Sequence, residues 1–577
     1  TYRITNGFTI TSGSGADILT DSRNVAGITS RADVTAADLT IDLGDGVNAP
    51  NLTGRYDVSR AMTLKTGSGD DAITLAGGIK AGSFLLDAGE GANTITLSGS
   101  YDVAGLLAIR AGAARDVIDL QGSYKAGSME ITAGAGNNDL TLTGTYRITN
   151  GFTITSGSGA DILTDSRNVA GITSRADVTA ADLTIDLGDG VNAPNLTGRY
   201  DVSRAMTLKT GSGDDAITLA GGIKAGSFLL DAGEGANTIT LSGSYDVAGL
   251  LAIRAGAARD VIDLQGSYKA GSMEITAGAG NNDLTLTGTY RITNGFTITS
   301  GSGADILTDS RNVAGITSRA DVTAADLTID LGDGVNAPNL TGRYDVSRAM
   351  TLKTGSGDDA ITLAGGIKAG SFLLDAGEGA NTITLSGSYD VAGLLAIRAG
   401  AARDVIDLQG SYKAGSMEIT AGAGNNDLTL TGTYRITNGF TITSGSGADI
   451  LTDSRNVAGI TSRADVTAAD LTIDLGDGVN APNLTGRYDV SRAMTLKTGS
   501  GDDAITLAGG IKAGSFLLDA GEGANTITLS GSYDVAGLLA IRAGAARDVI
   551  DLQGSYKAGS MEITAGAGNN DLTLTGT

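Results

Sequence analysis

The stretch from Thr1 to Gly144 recurs without a single change from Thr145, from Thr289 and from Thr433, and Thr577 begins a fifth copy. Four repeats therefore organise the chain: residues 1–144, 145–288, 289–432 and 433–576. Self-similarity at a fixed period marks stacked, quasi-one-dimensional folds, in which each unit buries its apolar face against its neighbour. It also bears on function. A catalytic centre needs one constellation of residues and gains little from four collinear copies, whereas a filament, stalk or spacer gains length with each. The repeat predicts a mechanical role and no enzymatic one.

A shorter period runs inside the module. A Gly-x-Gly-x-Asp/Asn phrase starts at Gly13, Gly44, Gly67, Gly89 and Gly134, with a degenerate form at Gly112 in which Ala114 replaces the second glycine. Successive first glycines lie 31, 23, 22, 23, 22 and 23 residues apart. The turn glycines include Gly13, Gly15, Gly67, Gly69, Gly89 and Gly91, and each phrase is flanked by aliphatic residues alternating with polar ones, as in Phe84/Leu86 and Ile95/Leu97. Period-two alternation rich in Ile, Leu and Thr predicts half-buried strands, and helical periodicity is absent. A third short segment, such as Ser100–Gly105, opens most coils. The fold class predicted is all-β: a parallel β-solenoid (β-helix) of about 22–23 residues per coil, with six coils per module. At about 4.8 Å per coil, a module would rise about 29 Å and four modules about 115 Å.

Outward positions support that register. Two residues before each first glycine stand Thr11, Asp42, Lys65, Asp87, Arg110 and Thr132, so stacking sets Asp42–Lys65–Asp87–Arg110 in alternating sign. Each exposed pair is worth only about 0.2–1 kcal/mol, but a slip of one coil would set like charges together. The tyrosines Tyr101, Tyr124 and Tyr146 fall on consecutive coils and are expected to stack as a ladder. The single 31-residue step carries eight or nine extra residues centred on Thr20–Thr29. Insertions in solenoids fall in loops on one face. The segment is therefore expected to project as a lateral-contact loop, with Val25 and Ile28 as apolar anchors, Asp21 and Arg23 as polar rim, and no core column passing through it.

Composition removes several function classes. The chain has 40 Lys+Arg against 64 Asp+Glu, a formal charge of −24, and such a surface repels nucleic acid and anionic membranes. Cysteine, histidine and tryptophan are absent, which excludes disulfides, thiol chemistry and His-based triads. No apolar run approaches the roughly 18 residues of a membrane span. A cysteine-free acidic repeat suits an extracellular or cell-surface protein of a bacterium, with any targeting segment outside this stretch. Thr-x-Thr pairs such as Thr94/Thr96 fit an ice-binding face locally, but Asp119 interrupts the column. The carboxylate pairs Asp116/Asp119 and Asp70/Asp71 recur identically in every module, which suits structure better than catalysis.

The phrase Gly67-Ser-Gly-Asp-Asp71-Ala-Ile73 resembles the calcium-binding nonapeptide of RTX proteins, Gly-Gly-x-Gly-x-Asp-x-aliphatic-x, over about nine residues of each coil. RTX β-rolls carry two such nonapeptides per coil and bind calcium along both edges. Here the phrase occurs once per coil, its first glycine is replaced (Thr66, Ala88 and others), and Asp alternates with Asn. The resemblance implies at most one calcium edge, on Asp17, Asp70, Asp71, Asn93, Asp116 and Asn138. Two readings of these positions stand: a hydrogen-bond ladder that closes the turns without cofactor, and a calcium edge. The function expected is a structural repeat of a fibre, adhesin stalk, biofilm matrix filament or surface-layer-like polymer, self-associating head to tail and laterally. The alternative is a secreted RTX-like module whose folding depends on calcium.

Overall fold

The computed structural model describes every residue except 26–27, 314–315 and 458; the side chains of Val25, Ile28, Val313, Ile316 and Val457 also lie outside the described residues. The chain forms two compact units, Thr1–Ala279 and Gly280–Thr577. Each is a parallel β-solenoid, as the period predicts, and among the described residues no helix is long and apolar enough to cross a membrane.

In the first unit a coil is one long and one short strand joined by corners. Long strands Arg55–Lys65, Gly78–Asp87, Ser100–Arg110 and Ser123–Thr132 stack in one sheet. Short strands Ala72–Leu75, Thr94–Leu97, Val117–Leu120 and Asp139–Leu142 stack in another. The second unit repeats the arrangement, for example in Gly366–Asp375, Ser388–Arg398 and Thr382–Leu385. In the four coils with long strands the short opening segment expected as a third strand is continuous with the strand that follows it, whereas in the other two it stays separate, as Asp33–Ala36 before Asp38–Asp42 and Thr145–Ile148 before Gly151–Thr155. A register shift between Ala81 and Phe84, and between Val103 and Leu106, bends the long strand and turns the coil without ending it. Gly82 sits at this bend because a β-carbon there would lie 2.5 Å from the Arg60 carbonyl oxygen.

The alternating aliphatics form continuous columns. Met62, Phe84, Leu107, Met129 and Phe152 stack in register, beside Leu64, Leu86, Ile109, Ile131 and Ile154, all effectively inaccessible to water. Tyr101, Tyr124 and Tyr146 stack as expected, with ring centroids 4.9 Å apart and planes within 4°. Their hydroxyls donate to main-chain carbonyls of the preceding coil: Tyr101 to Leu75 at 2.8 Å, Tyr124 to Leu97 at 2.7 Å, Tyr146 to Leu120 at 2.9 Å. The phenol oxygen is thereby satisfied while the ring fills the core.

The outward charge column has the predicted register: Asp42 pairs with Lys65, Lys65 with Asp87, and Asp87 with Arg110. Among the described residues no ion pair within 4 Å forms along it. Asp42 and Asp87 instead accept the amide protons of Gly44 at 3.1 Å and Gly89 at 3.3 Å, tying each to its own turn. Ion pairs between coils form elsewhere, at Arg60–Asp38 and, 3.2 Å apart, at Lys125–Asp102, where both partners are exposed and contribute little.

Candidate functional site

Two features recur in every module and stand apart from the monotonous flanks: the column of turn residues and the insertion.

The Asp/Asn positions stack into a hydrogen-bonded ladder. The amide of Asp17 donates to Asn48 Oδ1 at 3.0 Å, that of Asn48 to Asp71 Oδ1 at 2.7 Å, and that of Asp71 to Asn93 Oδ1 at 3.1 Å. The series continues from Asn93 to Asp116 at 2.8 Å, Asp116 to Asn138 at 3.0 Å and Asn138 to Asp161 at 2.7 Å. Asparagine has a second task that aspartate lacks the protons for. Asn48 Nδ2 donates to the carbonyls of Gly44 at 2.9 Å, Gly46 at 3.2 Å and Thr66 at 2.7 Å, closing its own turn and reaching the next coil. The turn glycines Gly67, Gly69, Gly89 and Gly91 have φ of 77°, 139°, 69° and 116°, which favour glycine strongly. Gly15 lies at 147°, and Gly157, the copy of Gly13, at 82°. The degenerate fifth turn needs no such freedom: neither Gly112 nor Ala114 has positive φ, so alanine is accommodated.

Alternation solves an electrostatic problem. Two carboxylates on adjacent coils, about 4.8 Å apart, would repel by about 3.5 kcal/mol at an effective dielectric of 20. An intervening amide doubles that distance. The remaining cost is burial. Oδ2 of Asp71, Asp116 and Asp161 is buried without a hydrogen-bond partner. Burial pushes the Asp116 carboxyl up to about 6, opposed by the Asn93 amide and reinforced by Glu90. Asp71 and Asp161 are raised for the same reason.

The ladder does not fit calcium. The ion takes six to eight oxygens, whereas each ladder carboxylate stands between two amides, with one oxygen already accepting a main-chain proton. Asp70, beside the ladder, is committed to the Ala92 amide at 2.8 Å. Among the described residues no three acidic side chains gather closely enough to hold a metal.

The insertion is a β-hairpin and not a loop. In the second module Ser166–Val169 pairs antiparallel with Ile172–Arg175. Ala170 at φ 52° and Gly171 at 83° form a two-residue turn of the twist that hairpins favour. Val169 and Ile172, the copies of Val25 and Ile28, are 61% and 74% exposed at the tip.

Asp21 is not on the rim of this element, and a core column does pass through the segment. Its copy Asp165 is fully buried, one residue past Thr164, in the register occupied by Leu142 below and Leu196 above. In regular coils the leucine carbonyl at this level accepts both the next coil's amide and its tyrosine hydroxyl; Leu75 takes Ser98 at 3.0 Å and Tyr101 at 2.8 Å. Here the Asp165 carbonyl is diverted, accepting the Ala176 amide at 2.8 Å to close the hairpin base. The side chain takes over. Asp165 Oδ1 accepts the Thr197 amide at 2.6 Å and the Thr197 hydroxyl at 3.1 Å, while Oδ2 accepts the Gly198 amide at 2.6 Å and the Tyr200 hydroxyl at 2.6 Å. Asp21 itself makes the same four bonds to Thr53, Gly54 and Tyr56.

Arg23 is likewise more than a rim residue. Its copy Arg167 donates from Nη2 to Asp119 Oδ2 at 2.6 Å, across 48 residues. Asp119 on Val117–Leu120 also receives Gln121 Nε2 at 2.7 Å, whereas Asp116 belongs to the ladder, so the two carboxylates serve different partners. In the sequence Asp119 stands out as an interruption in a threonine column and as one of the Asp116/Asp119 pair; the interruption was the available signal for an ion-pair partner. The chain matches no protein-family model and no curated protein.

Proposed function

We propose that the chain is a structural β-solenoid of a bacterial extracellular or surface fibre, a stalk, matrix filament or surface-layer-like polymer, acting by length and stiffness rather than by chemistry. The observation that supports this reading is the junction between modules. Ser123–Thr132 of one module pairs in register with Thr145–Ile148 and Gly151–Thr155 of the next, like any two coils within a module. The last coil of a module therefore complements the first coil of an identical one, and open edges that complement each other favour head-to-tail joining. The acidic surface favours solubility at high local density and disfavours nucleic acid. The exposed Val169 and Ile172 favour the hairpin as the lateral contact.

Imaging of the concentrated protein should show thin filaments that lengthen without thickening; compact globular particles would overturn the proposal. The competing reading, a calcium-triggered RTX-like module, has no supporting geometry. Accordingly, the β-sheet circular dichroism and melting temperature should be unchanged in excess chelator. A loss of several degrees on chelation would reinstate calcium as a stabilising ligand.

A further inference from the structure

We propose that the hairpin is a latch by which one module recognises the fifth coil of the module before it, and that the same latch joins a second copy of this chain end to end. The proposal rests on the head-to-tail reading above and names the contact that confers its specificity. In the first unit Arg167 of the second module meets Asp119 of the first at 2.6 Å; in the second unit Arg455 of the fourth module meets Asp407 of the third at 2.5 Å. The hairpin springs from the first coil of its module and Asp119 lies two coils earlier, so it folds back about 10 Å along the stack. It buries what it meets: Asp119 and Asp407 are 9% and 8% exposed. In both, Oδ2 receives the arginine and a glutamine, at 2.7 Å from Gln121 and from Gln409.

Specificity follows from the column in which the carboxylate stands. On successive coils the equivalent outward residues are Asn51, Thr74, Thr96, Asp119, Thr141 and Thr164. Only the fifth coil offers an anion. A module docked one or more coils out of place would set the arginine against a threonine or an asparagine and leave the aspartate buried without a counter-charge, a costly mismatch. Backbone edges alone are indifferent to register in this way, since each coil presents similar hydrogen-bonding groups. The partner groups for a second copy are Arg23 and Asp551, the latter half-buried and bonded to Gln553.

The test uses the 577-residue chain in sedimentation velocity over a range of concentrations, with R23Q, D551N and the charge-reversed pair R23D/D551R. Arg23 is exposed and Asp551 half-buried, so circular dichroism and melting of each variant are compared with the parent to confirm the fold. End-to-end association of the parent is expected, weakened about tenfold by either single substitution and recovered to within about threefold in the reversed pair. Association of the parent with no change in any variant would remove the latch while leaving head-to-tail joining in place. A parent that stays monomeric at the highest concentration would overturn both.

Discussion

Asp165→Ala is expected to cost about 3–5 kcal/mol, although aspartate at this position looks like one more surface acid in an acidic chain. The carboxylate accepts two amides and two hydroxyls, and it stands fully buried in a leucine column. Truncation leaves the Thr197 and Gly198 amides and the Tyr200 hydroxyl buried and unpaired. Asp165→Asn keeps one acceptor oxygen and should lose about half as much. By contrast, replacing the hairpin Ser166–Arg175 with an Asn-Gly turn keeps Asp165 and Ala176 in contact and should cost about 1 kcal/mol or less. Denaturant unfolding gives the ordering, and amide exchange at Thr197 and Gly198 localises it. If Asp165→Ala lies within experimental error of the parent, the substitution of side chain for main-chain carbonyl has been misassigned.

Acid should stabilise this protein over a window in which most proteins begin to weaken. Asp116, Asp215, Asp359 and Asp404 are pushed up to about 6 by burial, against an ordinary 3.8. Between those values the folded chain holds more protons than the unfolded one, so stability falls as pH rises from about 4 to 6 and stays low above. The surface aspartates Asp38, Asp182 and Asp326 act in the opposite sense. Arginine partners hold them below 3.8, and their contribution is lost only as pH drops beneath that value. The optimum should therefore lie near pH 4–5. With about 1 kcal/mol per ladder carboxyl after allowance for solvent at the turns, the melting temperature should be about 5–10 °C higher at pH 4.5 than at pH 8. Asp116→Asn, which supplies a donor where Oδ2 had no partner, should raise stability at pH 8 and flatten the pH dependence. A melting temperature that rises with pH from 4.5 to 8 would contradict the ladder's electrostatics.

The solenoid was legible because its physics is periodic. Apolar pairs every 22 or 23 residues can only form columns, and the tyrosines and the Asp42–Lys65–Asp87–Arg110 series follow the same register. The insertion was legible in position but not in kind. Its Ala170-Gly171 turn lacks the Asn-Gly signature of a hairpin, and Ala170 takes its positive φ without local encouragement. Asp21 misled because hydrophobic pattern assigns an acid to the surface. Its inward place follows from a carbonyl spent on closing the hairpin, which no pattern displays. The Arg167–Asp119 pair spans two modules, and its one trace in the threonine column was an anomalous acid. The turn column was legible as alternating Asp and Asn, but composition could not show that each main-chain amide donates to the side chain of the next coil.

The fibre proposal requires that added modules lengthen the particle without thickening it. Small-angle scattering on chains of two, four and eight modules tests it directly. The account predicts a constant cross-section and a length that grows by about 29 Å per module. A maximum dimension that instead rises as the cube root of mass would contradict it.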